Sequence, residues 1–397
     1  MKKTWRWFGK KDKITLPMLR QIGVEGIVTA LHDIPNGKIW SAEAILDLKK
    51  YIEDAGLEWS VVESLPVSEA IKYGGNNKDR LIDNYKVSLA NLGKAGIKTV
   101  CYNFMPVIDW IRTDLEYALE DGTSSLYYDN IRFAYFDCMI LKRENAKKDY
   151  PAEVLDKVYA LDKIITEKEK DQLVDTIIVK TQGFINGNIQ EGDENPVSQF
   201  KKLLDLYKGI DKDVLRENLK YFLEQIMPVC EEFGVNMCIH PDDPPRQMLG
   251  LPRIVTSAED IEWILKAVDN PHNGLTFCAG SLSSGIQNNM PEMASKFASR
   301  THFAHLRSTE VFPDGNFIES GHLKGRGHLI ELVRIFEKTN PSLPMRVDHG
   351  RLMLDDKDKG YNPGYSFHGR MFALAQMDGV IATVQNEIAT KYCNSNS

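Results

Sequence analysis

The sequence predicts an α/β fold of the (β/α)8 TIM-barrel kind, eight parallel strands closed on themselves, with an insertion after the fourth. Three observations predict it. Short apolar runs alternate with longer amphipathic stretches, the order expected of parallel strands joined by crossover helices. Eight such runs can be counted, which points to a closed barrel rather than an open sheet. The length, 397 residues, suits one barrel carrying an insertion. The expected organisation is therefore a single domain over 1–397.

The strand candidates, in order, are TWRWFG (4–9), EGIVTAL (25–31), EWSVVES (58–64), IKTVCYNFM (97–105), VNMCIHP (235–241), LTFCAGS (275–281), THFAHLRS (301–308) and PMRVDHG (344–350). Between them lie helical patterns. TLPMLRQIG, SAEAILDLKKYIEDAG, RLIDNYKVSLANLGKAG and DVLRENLKYFLEQIMPVCEEFG each end in glycine, a common helix stop. SAEDIEWILKAV follows a Thr-Ser start signal. GRMFALAQMDGVIATVQNEIA reads as a closing helix before a short CNSNS tail. Residues from about 110 to 210 break the rhythm, with FAYFDCMIL and DTIIVK apolar and a Lys/Glu-rich run between. They are expected to form an insertion in the fourth βα loop, serving as a lid over the catalytic face or as a surface for dimer contacts.

Composition bounds the function. Net charge is -7, which argues against nucleic acid as a partner, since phosphate binding needs a basic surface. No run approaches the length of a membrane span, and the lysine-rich start has no apolar core of signal-peptide length. The six cysteines, Cys101, Cys138, Cys230, Cys238, Cys278 and Cys393, include no CxxC pair. In a chain this long they read as thiols of a reducing, cytoplasmic compartment.

The chemistry gathers at strand ends. His240 closes the fifth strand, Cys278 the sixth, His305 the seventh and Asp348 the eighth. Barrel active sites are built on that face. Two imidazoles, a thiolate and a carboxylate form a mixed donor set for one divalent ion; zinc, iron(II), manganese and cobalt all suit it. Any one of these residues alone reads as a core histidine or a small hydrophobe; four at equivalent places on neighbouring strands do not. Arg307 shares a strand face with His305 and is a bidentate partner for a substrate carboxylate, or else an ion pair with a neighbouring acid. Asp242 would share a face with His240 if that strand persists, and is a second candidate substrate contact; with Asp243 it could instead orient ligands or cap the loop. Asn103, at the end of the fourth strand, is a third. His349 follows Asp348 directly, and Gly350 is expected to provide the turn that brings His349 to the cavity as a proton carrier. Tyr365 lies in GYNPGYS, where the Pro-Gly pair fixes a turn able to present it inward. His272, His302 and His328 are expected to be structural, whereas His32 and His322 are candidate substrate contacts.

These motifs resemble a known family. WRWFG, VTALHDIPNG, VVESLPV, CYNFMPVIDW, RTDLEY, HPDDPPR, LGLPRIV, CAGS, HLRST, DHG and NPGYS together resemble the mannonate dehydratases of hexuronate (glucuronate) breakdown, nearly end to end. The resemblance implies a xylose-isomerase-like TIM barrel, one Mn2+ or Fe2+ ion, and dehydration of the sugar acid D-mannonate to 2-keto-3-deoxy-D-gluconate. It places the metal on His240, Cys278, His305 and Asp348, and proton transfer on His349 and Tyr365. It also suggests a homodimer or larger assembly. Val347 stands where the family's Arg-Pro-Asp-His-Gly run has proline, which removes a backbone constraint but no side-chain chemistry. The loop VFPDGNFIESGHLKG, after the seventh strand, also varies and could alter the lid. The competing readings are a sugar isomerase on the same barrel, which generally favours carboxylate-rich two-metal sites, a non-catalytic sugar-acid sensor, and a zinc-dependent nuclease.

Overall fold

Eight strands close into a parallel barrel in the computed structural model of the chain. The structure describes residues 1–183, 189 and 192–395, with side chains to residue 390. The Cys393 side chain, the end of the CNSNS tail and part of the 110–210 segment thus lie outside the described residues. The barrel strands are β1 (Lys2–Arg6), β2 (Gly26–Thr29), β3 (Glu58–Glu63), β4 (Thr99–Tyr102), β5 (Asn236–Ile239), β6 (Asn273–Cys278), β7 (Thr301–His305) and β8 (Pro344–Arg346). Lys2 pairs with Pro344, so β8 returns to β1 and leaves no free edge. Each falls within its expected run except β1 and β6, which each start two residues earlier. The end of β1 is set by Asp12, whose carboxylate accepts from the Phe8 and Ile14 amides and turns the chain away.

Local chemistry explains the helices. Ser41 caps Ala42–Asp54 by accepting from the Ala44 amide at 3.2 Å. Asp211 caps Lys212–Phe233 at one end, and Gly234, at φ 63°, terminates it at the other. The helices pack Ile45, Ile52, Leu89, Leu219, Phe222 and Leu332 against the barrel's outer wall. Inside the barrel, Val28, Val61, Cys101, Cys238 and Phe303 form a dry layer. That layer is the floor beneath the strand ends. Among the described residues no helix is long and apolar enough to cross a membrane.

The 110–210 segment holds more than helices. A hairpin of Asp114–Ala118 and Ser124–Tyr128 joins a second hairpin, Thr309–Val311 and Phe317–Glu319, from the loop after β7. The two pair through Phe317 with Tyr128 and Ile318 with Tyr127, giving a four-stranded antiparallel sheet built from both barrel loops. Stacked rings hold it: Tyr117 on Tyr127 at 4.2 Å and Tyr128 on Phe317 at 5.1 Å. The two apolar runs noted in the segment are helical, Asn130–Leu141 and Glu167–Lys180. They bury Phe133, Phe136, Ile177 and Ile178 in a second apolar cluster that includes Phe317 from the other loop.

Candidate active site

The ends of the barrel strands surround one polar cavity. Its wall includes Arg6, Glu63, Asn103, Asp109, Trp110, His240, Asp243, Arg307, Arg346, Asp348, His349 and Tyr365. Below it, His240, Cys278 and His305 each offer one donor atom, and the three atoms lie within 4.8 Å of one another. The surroundings aim these donors. His240 Nδ1 lies 2.7 Å from the Pro241 carbonyl, which accepts its proton and leaves Nε2 turned to His305 Nδ1 at 3.2 Å. His305 Nε2 lies 3.3 Å from Glu63 Oε1 and 3.1 Å from Arg346 Nε, which donates to it, and its Nδ1 faces His240 and Asp348. Outer partners that orient the ring are the usual setting of a metal-binding histidine. Cys278 Sγ accepts from the Ser281 hydroxyl at 3.1 Å. Asp348 stands beside this trio, with Oδ2 at 3.6 Å from both Cys278 Sγ and His305 Nδ1. The cluster of soft and borderline donors fits a divalent transition ion.

Arginines set the electrostatics. Arg346 joins Glu63 at 2.9 Å and also pairs with Asp348. Arg307 contacts Asp348, Asp243 and Glu319. Arg112 grips Asp243 at 2.8 Å and Glu319 at 2.6 Å. Burial pushes the Asp348 carboxyl up, but Arg346, His349, Arg307 and His305 outweigh it and hold it well below its usual range. Glu63 behaves alike: burial opposes, and Arg346 and His305 win. Asp109 differs, since burial dominates there and pushes its carboxyl up; Asn103 donates to it.

His349 and Asp348 both reach the cavity, though not by the expected device. β8 ends at Arg346, and the chain changes direction at Asp348 itself, with φ 63°, a conformation that aspartate tolerates better than most residues. Gly350 keeps an ordinary backbone. Its missing side chain instead makes room for the Arg370 backbone, which a Cβ would strike. Tyr365 enters on a turn in which Gly364, at φ 80°, follows Pro363, and the Tyr365 amide donates to the Asn362 carbonyl at 2.8 Å. That is the Pro-Gly turn of type II. The Tyr365 ring meets His349 edge-on at 5.0 Å. Burial pushes its phenol up to about 12, against the pull of Arg346 and Arg6.

Three expected substrate contacts fare differently. Asn103 lines the cavity. Arg307 also lines it, but with its donors engaged by carboxylates, which is the ion-pair alternative. Asp242 does not line it: β5 stops at Ile239, so the alternation that would align Asp242 with His240 is lost. Asp242 instead clamps the loop, bonded to Arg253 at 3.0 Å and the Val255 amide at 2.9 Å. Its neighbour Asp243 faces the cavity. His322 bonds the Val347 carbonyl from behind, and neither it nor His32 is in the cavity wall. His302 and His272 take structural partners, the Pro271 carbonyl and Asn236; His328 begins a helix at φ 50°.

Sequence reasoning missed Glu63, Arg6, Arg346, Arg112 and Glu319. The strand-end rule that found His240 would have found Arg6 and Glu63 on β1 and β3. Glu319 and Arg112 had a weaker signal, two Asp-Gly pairs flanked by aromatic and branched residues, LEYALEDGTSSLYY and TEVFPDGNFIE, which mark hairpins.

Comparison with known proteins agrees with this geometry. The family model described as D-mannonate dehydratase (UxuA) matches residues 1–391. A protein named mannonate dehydratase from Marinomonas sp. (strain MWYL1) is 47% identical over 392 residues, covering 96% of this chain and 98% of that one. Another, from Saccharophagus degradans, is 43% identical over 396 residues, covering 97% and 98%. The crystal structure of mannonate dehydratase from Streptococcus suis serotype 2 superposes with a TM-score of 0.78 at 34% identity, covering 98% of this chain and 96% of that one. A D-tagatose 3-epimerase-like protein, with a TM-score of 0.51 at 9% identity over 98% of this chain and 100% of that one, shares the fold alone.

Proposed function

The chain belongs to the mannonate dehydratase family, whose members are hydro-lyases, and from that premise we propose how this site removes water from D-mannonate. One observation carries the reading: three clustered metal-type donors, His240, Cys278 and His305, lie at the floor of the cavity that His349 and Tyr365 line, with His240 itself in its wall. His240, Cys278 and His305, with Asp348, would hold one divalent ion. That ion, when bound, supplies Lewis-acid stabilisation of the negative charge that builds on the substrate carboxylate.

The chain's own residues then divide the proton work. Loss of the C2 proton leaves an electron pair that spreads into the carboxylate as an enediolate. His349 is the group that takes this proton. The pair returns to form the C2–C3 double bond as the C3 hydroxyl departs. Tyr365, held protonated by burial, donates to that hydroxyl, which leaves as water. The enol then gains a proton at C3 and gives up its hydroxyl proton to become the C2 ketone, 2-keto-3-deoxy-D-gluconate; the proton gained by His349 balances the one given by Tyr365. Asn103 is suited to a substrate hydroxyl. Arg307 and Arg346 offset the charge of Glu63, Asp243, Asp348 and Glu319, with which they pair, so that these carboxylates do not repel an entering acid. Each proton-transfer group of this kind commonly contributes about 10^2 to 10^4 in rate.

The ion is Mn2+ or Fe2+ on this reading, with Zn2+ and Co2+ as alternatives that the Cys278 thiolate also suits. The protein is read as a cytoplasmic homodimer or larger assembly. Exposed Leu323 and Phe372, which flank one surface cleft, support a subunit contact. The test is a pair of substitutions. Tyr365→Phe and His349→Asn should retain bound metal and lose turnover; near-normal turnover in either removes that residue from the mechanism.

A further inference from the structure

Glu319 belongs to no barrel strand. It closes Phe317–Glu319 in the four-stranded loop sheet, yet its carboxylate is buried in the cavity region. His349 Nδ1 lies 2.8 Å from one of its oxygens and 3.0 Å from the other. His349 Nε2 points the opposite way and is 3.7 Å from Asp348 Oδ1. Trp110 and Tyr365 pack on the ring at 5.3 and 5.0 Å. The imidazole is therefore boxed on its sides and held from behind.

We propose that Glu319 is a positioning residue for His349: it accepts the Nδ1 proton and so presents Nε2, unprotonated, to the substrate's C2. The inference rests on the reading of His349 as the base. A carboxylate behind a histidine fixes the tautomer and ring orientation and stabilises the imidazolium formed on proton uptake. Glu319 is itself immobilised, at 2.6 Å from Arg112 and 3.2 Å from Arg307, both buried. Burial raises its carboxyl, but Arg307, His349 and Arg112 prevail and bring it down to about 2. It stays ionised throughout the neutral range.

The placement has a consequence for assembly of the site. Arg112 lies two residues before the first hairpin, which begins at Asp114, and Glu319 ends the second. Their ion pair joins the β4 and β7 loops at the point where the base is held. The base is oriented only when both loops are in place. The competing account makes Glu319 a counter-ion for Arg112 and Arg307 and nothing more.

Substitutions in the metal-loaded full-length protein, assayed with D-mannonate and its C2-deuterated form, separate the two. Glu319→Gln leaves Arg307 with Asp243 and Asp348, and Arg112 with Asp243. It is expected to keep its metal and a KM within a few-fold of the parent. Its kcat should fall about 10- to 100-fold, the range that such outer partners command, and the deuterium effect on kcat should rise because proton removal has become slower. Arg112→Lys keeps a cation beside Glu319 and leaves its carboxylate behind His349, so its fall in kcat should be smaller than that of Glu319→Gln. If Glu319→Gln fails to fold or to load metal, Glu319→Asp, which withdraws the carboxylate by one methylene, carries the same expectation. An unchanged kcat and isotope effect, beside an inactive His349→Asn, overturns the role of Glu319 alone. An active His349→Asn overturns the reading of His349 as base.

Discussion

At the scale of single residues, the site depends on backbone departures that place side chains no regular strand could. Asp348 at φ 63° puts itself and His349 into one cavity, and Gly280 lets the Arg307 side chain lie directly over the chain, where a Cβ would collide. Gly280→Ala should displace Arg307 from Asp348 and Asp243; a several-fold loss of kcat/KM with Tm lowered by a few degrees would be the signature, read by steady-state assay and thermal melt. The ligand-type residues were legible in the sequence because strand ends are a short list and His, Cys and Asp are conspicuous there. Arg346 and Glu63 stand at strand ends too but were passed over, since arginines and glutamates there ordinarily read as solvated. Asp242 looked right for the wrong register, because the alternation was carried past Pro241, which has no N–H to continue the ladder of a strand that ends at Ile239. The αL turn at Asp348 left no mark either, and Gly350 was the more obvious place to put it.

Among elements, the four-stranded sheet built from the two barrel loops matters most. It couples two loops that are nearly 200 residues apart in sequence, and that pairing is what the sequence hid: each half shows a hairpin, but nothing local says that Tyr128 will stack on Phe317. The barrel strands, by contrast, were legible through their apolar runs and the glycines that end the preceding helices. Phe317 packs on Tyr128 at 5.1 Å and beneath the Arg112 guanidinium at 4.8 Å. Phe317→Ala should cost about 3 to 5 kcal/mol of packing where it is fully buried, concentrated in the loop sheet. Faster proteolytic cleavage within 110–130 and a raised KM, with the barrel's main unfolding transition retained, are the expected results; loss of the whole transition would show that loop sheet and barrel melt as one.

For the molecule as a whole, charge compensation ties stability to pH and to the ion. Glu63, Asp243, Glu319 and Asp348 all have carboxyls held below their usual range by buried arginines and histidines that outweigh burial. A carboxyl depressed in the folded state stabilises it above its unfolded value and ceases to do so as pH falls. For Glu319 that window runs from 4.5 down to about 2. Melting temperature should therefore decline steadily below about pH 4.5, and Glu319→Gln should flatten part of that decline. Removing the divalent ion with a chelator should lower Tm as well as abolish activity, since a ligand at a hundredfold its Kd stabilises by about 2.7 kcal/mol; re-addition of Mn2+ should restore both. One assay meets the chemistry head-on: purified protein with D-mannonate and Mn2+ under reducing conditions, scored for 2-keto acid. One 2-keto-3-deoxy-D-gluconate should form for each mannonate consumed. Bound mannonate with no product, whichever divalent ion is supplied, would contradict the dehydratase reading and leave a sugar-acid sensor in its place.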